Sequence, residues 1–524
     1  MTVAASMTRL VRAATSMSAI TLLSRICGLI RDRLMAQTLG AGWVQGTFLL
    51  AWLLPNLMRR LLGEGALSAS LVPRYTKLRK EDPEAAKRLL EEVAGAVVTL
   101  LTPLCLGVAA ASLMVPASWL PAPDEGGQEA VRLLLALNAI LFVYSLPVCL
   151  ASVATGALNT LGVFALPASI PVALNLIWIV ALVAAAPLGF EVDTEIATLT
   201  AWSLTVGGFV QLLIVLLPLQ KKGAFGRPRL GLPRRGTASF AVFAAMAPTV
   251  LGVSLNQISS LIDQMLAYYV IAPGANMYVY LANRLLLFPH ALTAMAVAVA
   301  VFPKLASEAD DAGRRQMRRT LDLAAAATIL VTLPAATGMI LLAEDVVEVL
   351  FVGGRFGGDD IAPTVRTTAC LLAGLPFLGL AQLYARAFYA VGDTSTPART
   401  AGLLVVLNVA TSLTLLLTTE LGTAALTLAS SLSSLANAAV LAVLFRRYAA
   451  PDGGLMGAWV RSLVATAAMC AVVPFVRVGS PESSLWARAA GNLALPVALG
   501  IAVYVGAHAL MRSPELRALR RSKS

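Results

Sequence analysis

Between Glu92 and Asp124 the chain reads VAGAVVTLLTPLCLGVAAASLMVPASWLPAP (residues 93–123), and no Asp, Glu, Lys or Arg interrupts it. A helix rises 1.5 Å per residue, so about 20 apolar residues cross roughly 30 Å of hydrocarbon. A soluble core does not need so long an uncharged run, whereas a bilayer does. Reading outward from it, similar segments occur at 15–39, 43–62, 93–118, 131–156, 164–187, 197–219, 238–271, 277–303, 321–343, 364–391, 398–418, 422–445, 458–478 and 486–511. The expected fold is an all-α polytopic membrane protein with about fourteen transmembrane helices.

Composition agrees. The chain is 58% hydrophobic and 13% charged, where soluble proteins are nearer half and about a quarter. A net charge of +12 on a soluble chain would suggest nucleic acid, but here the excess sits in alternate connections and no nucleic acid is expected. Basic residues follow the second span (Arg74, Lys77, Arg79, Lys80, Lys87, Arg88), the sixth (Lys221, Lys222, Arg227, Arg229, Arg234, Arg235), the eighth (Lys304, Arg314, Arg315, Arg318, Arg319) and the twelfth (Arg446, Arg447). The tail adds Arg512, Arg517, Arg520, Arg521 and Lys523. Connections of the other parity carry Asp124, Glu125 and Glu129, then Glu191, Asp193 and Glu195, then Glu344, Asp345, Glu348, Asp359 and Asp360. This positive-inside pattern places both termini in the cytoplasm and checks the span count, since one missed span would break the alternation.

A repeat runs through the spans at a shift of about 230 residues. Asp32-Arg33-Leu34-Met35-Ala36 resembles Asp263-Gln264-Met265-Leu266-Ala267. Val72-Pro73-Arg74 resembles Phe302-Pro303-Lys304, and Gly162 precedes Pro167 as Gly392 precedes Pro397. The shift equals six spans, an even number, so the two six-helix lobes have parallel topology, with two further helices at the C-terminus. The expected divisions are 1–222, 223–450 and 451–524. Parallel repeats with a site near the midplane are a transporter architecture. An integral-membrane enzyme would need paired acids or histidine clusters. The two histidines, His290 and His508, and the five cysteines, Cys27, Cys105, Cys149, Cys370 and Cys470, form no metal or disulfide pattern. No phosphate-binding loop of the Walker type is present.

Charges inside spans cost about 2.5–3.5 kcal/mol or more each, so they face a cavity or a partner. The first span holds Arg25, Arg31, Asp32 and Arg33, the second ends in Asn56-Leu57-Met58-Arg59-Arg60 with Glu64 beyond, and the eighth holds Asn283-Arg284. Arg25 and Asp32 share a helix face, while Arg31 points well round the helix and Gly28 offers a bend between them. Arginine stays charged in low dielectric and grips phosphate oxygens with a planar fork. Several arginines with few acids therefore point to a site for phosphate or pyrophosphate. Arg59 and Arg60 also suit snorkelling at a span end, and Arg31–Asp32 also suits a structural ion pair. Asp263, with Asn408 deep in the eleventh span, suits either a coupling cation or proton, or hydrogen bonding within the bundle.

These residues resemble a known family. Ser24-Arg25, Gly28-Leu29-Ile30-Arg31-Asp32, Gly40-Ala41-Gly42, Leu54-Pro55-Asn56-Leu57-Met58-Arg59-Arg60 and Glu64-Gly65-Ala66 are similar to the N-terminal signature of the MurJ (MviN) lipid II flippases. Gly156-Ala157-Leu158-Asn159-Thr160, Ala247-Pro248, Leu251-Gly252-Val253-Ser254, Asn283-Arg284, Ala387-Phe388-Tyr389-Ala390, Gly392-Asp393-Thr394 and Thr396-Pro397 extend the likeness over nearly the whole chain. The resemblance implies the fold of the multidrug/oligosaccharidyl-lipid/polysaccharide (MOP) exporter superfamily. It implies alternating access that carries undecaprenyl-pyrophosphate-linked peptidoglycan precursor to the outer leaflet of the cytoplasmic membrane. It implies substrate-binding roles for Arg25, Arg31, Arg59 and Arg284, to which the charge pattern adds Asp32 and Arg60, and a cation position at Asp263 and Asn408. It implies no cofactor, with Na+, H+ or the membrane potential as the drive. The partners it implies are lipid II, membrane lipids and other cell-wall synthesis proteins, and the chain is expected to be a monomer. Gly46 and Leu287 stand where many members carry acids, Leu53 where many carry lysine, and Ser412 where many carry a second acid. The alternative is an exporter of another polyisoprenoid-linked oligosaccharide, or of drugs, in the same superfamily.

Overall fold

The computed structural model describes residues 3–61, 67–310, 313–450, 455–476 and 488–514. Glu64, Gly65 and Ala66, and the tail residues Arg517, Arg520, Arg521 and Lys523, lie outside the described residues, as do the side chains of Ala247, Pro248 and Leu251 to Val253. Among the described residues the chain is helical, without a strand. The helices are α1 (Val3–Leu39), α2 (Trp43–Met58), α3 (Leu67–Glu81), α4 (Pro83–Met114), α5 (Gly127–Leu141), α6 (Ser145–Thr160), α7 (Ala165–Ala185), α8 (Asp193–Lys221), α9 (Ala238–Leu266) and α10 (Ala275–Leu292). They continue with α11 (Ala294–Ser307), α12 (Arg314–Leu341), α13 (Ala343–Phe351), α14 (Ile361–Ala373), α15 (Leu375–Ala390), α16 (Ser395–Thr418), α17 (Thr423–Phe445), α18 (Leu455–Val472) and α19 (Leu495–Leu510).

Among the described residues, ten helical segments are long and apolar enough to cross a bilayer. They match the predicted spans three to six and nine to fourteen. Their outer faces expose large apolar side chains, including Leu113, Met114, Leu403, Val406 and Leu417, which suits lipid and not water. The other four predicted spans are the first two of each repeat, and they coincide with α1, α2, α9 and the pair α10–α11. These four carry Arg25, Arg31, Asp32, Arg59, Asp263 and Arg284, while other spans hold charges of their own, such as Arg386 in 364–391 and Arg461 in 458–478.

Two helices were not expected. Residues 67–81 read as a basic loop, yet they form α3. Leu67, Leu71 and Tyr75 recur every four residues and are buried, while Lys77, Arg79 and Lys80 turn outward or part-way out. Such an amphipathic helix escapes a hydropathy reading because its polar face lowers the average. Residues 343–351 behave alike, with Ala343, Val347 and Phe351 buried and Glu344 exposed. Pro73 and Pro303 therefore lie inside α3 and α11, not just after a span. Two predicted spans are also broken. Span 131–156 becomes α5 and α6 around a tight turn at Phe142–Tyr144, and span 364–391 becomes α14 and α15 at Gly374. Pro147 and Pro376 sit just inside the second halves, where a missing N–H is tolerated.

The repeat is visible in backbone geometry within each half. α6 ends with Gly162 at φ 74° and α15 with Gly392 at φ 81°. Gly162 N–H bonds to Asn159 O at 3.1 Å and Val163 N–H to Leu158 O at 3.0 Å. The counterparts are Gly392 to Tyr389 at 3.1 Å and Asp393 to Phe388 at 2.9 Å. Both helices thus close in the same Schellman motif, which needs a left-handed residue that only glycine adopts cheaply.

Contacts between connections join like parity. Glu91 on α4 binds Arg229 at 2.8 Å, Arg355 pairs with Asp193, and Arg447 pairs with Asp393. Basic connections meet basic-side neighbours and acidic ones meet acidic-side neighbours, as two membrane faces require.

Asp393 is the most heavily bonded of these groups. It accepts from Thr396 N–H at 3.0 Å, Thr396 Oγ1 at 2.7 Å, Ser395 Oγ at 3.0 Å and Tyr448 Oη at 3.1 Å, besides pairing with Arg447. Burial acts to raise its pKa, but the hydrogen bonds from Thr396, Ser395 and Tyr448 outweigh it and hold the carboxyl well below the usual range. A depressed carboxyl stabilises the fold above its unfolded pKa of about 3.9 and loses that stabilisation only as pH falls through the folded value. Asp393→Asn is therefore expected to lower Tm by the same amount from about pH 8 down to about pH 5. A Tm penalty that faded within that interval would contradict this account.

By compactness the chain divides into two units. The first comprises residues 1–257, 268–274 and 353–356, and the second residues 258–267, 275–352 and 357–524. In the first, Phe48, Trp52, Tyr144 and Trp178 pack as an aromatic cluster with ring centroids 5.1–5.7 Å apart. In the second, Leu321, Ala325 and Ile329 of α12 meet Leu383, Tyr384 and Phe388 of α15 and Leu441 and Phe445 of α17. Alanines between them let the helices approach closely.

Candidate functional site

In the first unit, α1 presents Arg25 and Arg31 in different settings. It runs as one helix through Gly28. Arg25 is exposed in mid-helix, on a stripe with Leu22 and Leu29, which are also exposed. Among the described residues it has no hydrogen-bond or ion-pair partner. Arg31 is buried, with 6% of its surface exposed. Its Nε and Nη2 donate to Asp32 Oδ1 at 3.1 and 2.6 Å, its Nη1 donates to Asn175 Oδ1 at 2.9 Å, and its guanidinium lies 4.4 Å from the Trp178 ring centre. Asn175 Nδ2 in turn donates to the Ser24 carbonyl at 3.1 Å. The missing side chain of Gly28 leaves room for this amide, which stands 3.5 Å from where a Cβ would be. Arg31 and Asp32 thus knit α1 to α7.

Arg59 follows α2 in a short wider-wound turn and donates through Nε and Nη2 to Asn56 Oδ1 at 3.2 and 2.9 Å. Arg60 is exposed and donates to Gln257 Oε1 at 3.0 Å. Arg59 is half-buried and held toward its own helix by the asparagine of its motif.

In the second unit, Arg284 on α10 donates to Tyr280 Oη at 2.8 Å and lies 4.9 Å from that ring's centre. The tyrosine sits one turn earlier, the spacing that puts both on one face. Leu287 and Phe288 beside it are exposed. Asp263 and Asn408 are both buried, and Ser430 joins them. Ser430 Oγ donates to Asp263 Oδ2 at 3.4 Å, Asn408 Nδ2 donates to Ser430 Oγ at 3.2 Å, and Ser259 Oγ donates to Asn408 Oδ1 at 3.0 Å. Asp263 Oδ1 and the Ser412 hydroxyl, one turn beyond Asn408, are buried without hydrogen-bond partners. A buried carboxylate oxygen without a donor is costly. It is relieved by a proton or by a hard cation that prefers oxygen ligands. The donor set fits such a cation.

Asn175, Trp178, Tyr280, Ser259 and Ser430 were not singled out in the sequence. Asn175 was findable, as an amide in the middle of an apolar span. The serines were not, because serine is common in spans and only the packing of α9, α16 and α17 selects these two.

A helical chain with two parallel repeats, whose leading spans carry arginines and a buried acid, is a multi-pass membrane transporter. Solved structures share the fold. A lipid II flippase MurJ in an inward closed conformation superposes with a TM-score of 0.76 over 94% of this chain and 98% of that chain, at 20% identity. An inward-facing multidrug resistance MATE-family transporter of the MOP superfamily gives 0.62 over 83% and 97%, at 16% identity. The chain belongs to the lipid II flippase MurJ family, whose sequence profile matches residues 35–484. A relative from Burkholderia cenocepacia named lipid II flippase MurJ is 33% identical over 76% of this chain and 77% of its own length. A probable lipid II flippase MurJ from Vibrio cholerae is 30% identical over 83% and 82%. The family is one of transporters, so the chain is not an enzyme.

Proposed function

We propose that this chain flips lipid II, the undecaprenyl-pyrophosphate-linked peptidoglycan precursor, from the cytoplasmic to the outer leaflet of the cytoplasmic membrane by alternating access. Membership of the family supports the substrate class. The observation that carries the chemistry is Arg25, an exposed guanidinium in the middle of a span. Against lipid such a charge costs several kcal/mol, of order 2.5–3.5 or more, so it faces water and an anion. Arg25 in the first unit and Arg284 in the second each offer a planar fork for pyrophosphate oxygens, Arg59 and Arg60 add basic groups in the first unit, and Arg31 with Asp32 holds α1 against α7. Arginines in the leading spans disfavour an exporter of cationic drugs, which would want acids there. Both termini face the cytoplasm on this reading, which the charge alternation supports. The chain works as a monomer alongside other wall-synthesis proteins.

Coupling falls to the Asp263 cluster. A sodium ion or proton there neutralises the carboxylate, and Asn408, Ser412 and Ser430 offer the surrounding oxygens. Proteoliposomes bearing this protein are expected to translocate lipid II, faster with an inward sodium or proton gradient. Asp263→Asn is expected to keep lipid II binding and remove the stimulation. No translocation under any gradient would overturn the flippase reading. Full stimulation in Asp263→Asn would overturn the coupling role alone.

A further inference from the structure

The connection between α8 and α9 crosses one face of α4, and the rest of that face tells what the connection touches. Glu91, Gly95 and Thr99 hold residues 226–231 on it. The next residues at helical spacing along the same face are Pro103, Leu106, Ala110 and Leu113. All four are exposed, Leu106 and Leu113 by 64% and 75%. They lie in the uncharged run 93–123, so they form a stripe against lipid. The connection is therefore seated on the bilayer side of α4, at the charged end of the span.

Its depth follows from helical rise. From Glu92, the last charge before the run, to Thr99 is about 10 Å at 1.5 Å per residue. The headgroup layer is about 5–7 Å thick on each side of the hydrocarbon. Thr99, which accepts from Gly231 N–H at 3.0 Å, thus lies where headgroups give way to acyl chains. A backbone at that depth has to be satisfied by protein, and the N–H groups of Gly226, Arg229 and Gly231 all bond to α4. The side chains left outside sort by chemistry. Leu230 and Leu232 are 72% and 62% exposed. Arg227, Arg234 and Arg235 flank them and are exposed, and their side chains have no hydrogen-bond or ion-pair partner among the described residues. The acids of α4 beside them are engaged, Glu91 by Arg229 at 2.8 Å and Glu92 by Ser239 Oγ at 2.8 Å.

We propose that residues 226–235 form a strap seated in the membrane interface. Leu230 and Leu232 enter the acyl layer beside α4, and Arg227, Arg234 and Arg235 bind the phosphate groups of anionic lipids. Apolar side chains set between basic ones are what an interfacial segment needs, since the first gain from burial in lipid and the second from the charge of the headgroups. The strap carries the chain from the first repeat into the second, and Ser239 at the start of α9 is tied to Glu92. Lipid held here steadies the point from which the second repeat departs. The inference rests on the membrane fold and not on the flippase reading, and its ligand is a bilayer lipid, not the transported substrate.

The test is hydrogen exchange on the full-length protein in nanodiscs, read on the backbone amides of residues 227–236. The discs hold either phosphatidylcholine alone or phosphatidylcholine and phosphatidylglycerol in equal parts. In the parent, exchange is expected to be slower with phosphatidylglycerol, by about fivefold for each arginine engaged, and the difference is expected to shrink as salt rises. Arg227→Gln, Arg234→Gln and Arg235→Gln together are expected to remove the difference and leave exchange in phosphatidylcholine unchanged. Leu230→Ser with Leu232→Ser is expected to speed exchange in both discs. The readout is confined to the strap, so phosphatidylglycerol bound at other arginines does not enter it. Equal exchange of the parent in the two discs would overturn the proposal. So would faster exchange of the arginine variant in phosphatidylcholine, which would assign those arginines to the fold. Unchanged exchange in the leucine variant would place the leucines outside lipid and overturn it as well.

Discussion

Alanine in place of Arg25, and separately in place of Arg284, is expected to leave the protein inserted in the membrane at parental abundance while abolishing rescue of cells depleted of their own flippase. Folding is spared for a physical reason. Arg25 is exposed with no partner among the described residues, and the hydroxyl that Arg284 leaves behind belongs to Tyr280, which is only partly buried. A change at an exposed site such as Arg25 typically moves stability by no more than about 0.5 kcal/mol, and loss of the Arg284 hydrogen bond costs about 0.5–1.5 kcal/mol. Function is lost because a fork of charge-assisted hydrogen bonds to pyrophosphate is removed from a low-dielectric path. Arg25→Lys keeps the charge and loses the fork, so it is expected to rescue only in part. Arg31→Ala is a different experiment. It strands buried Asp32 and Asn175, a loss of the kind that costs about 3–5 kcal/mol, so its expected phenotype is low abundance. Normal rescue by both Arg25→Ala and Arg284→Ala would sink the arginine-based mechanism.

Gly95→Ala should lower Tm and expose the connection between α8 and α9 to trypsin, although alanine is the better helix former. Propensity alone favours alanine over glycine in mid-helix by about 1 kcal/mol. Packing opposes it. A Cβ at residue 95 would stand 1.7 Å from the Arg229 carbonyl oxygen and 2.2 Å from its carbon, a clash with backbone that no rotamer relieves. The segment from Gly226 to Gly231 lies along one face of α4. Glu91 accepts from Gly226 N–H at 3.1 Å and Arg229 Nε at 2.8 Å, its carbonyl accepts from Arg229 N–H at 2.9 Å, and Thr99 Oγ1 accepts from Gly231 N–H at 3.0 Å. Glu91, Gly95 and Thr99 are spaced by four and stack on that face. Pushing the segment away breaks these bonds together, each worth about 0.5–1.5 kcal/mol. The loss outweighs the propensity gain. Trypsin then reaches Arg227, Arg229, Arg234 and Arg235. An unchanged Tm with unchanged resistance to trypsin would show that the segment is not held as described.

Much of this protein was legible without coordinates. Uncharged spans such as 93–118 must be helical within a bilayer, since only internal hydrogen bonding satisfies their backbone there. The repeat was legible because turn glycines and prolines have few substitutes, and Gly162 and Gly392 do adopt the same left-handed cap. The charged residues stood out because each is expensive in a span. What stayed hidden were the amphipathic helices α3 and α13, whose polar faces mask them from hydropathy.

The residues themselves determined the membrane fold, the repeat and the list of arginines, because periodicity and charge cost are properties of short stretches of chain. Tertiary structure alone decided what each charge does. Arg25 stays exposed while Arg31, six residues on, is buried against Asp32, Asn175 and Trp178. Asp263 reaches Asn408 only through Ser430, on a third helix. Partners more than a hundred residues apart set burial and hydrogen bonding, and no local pattern encodes them.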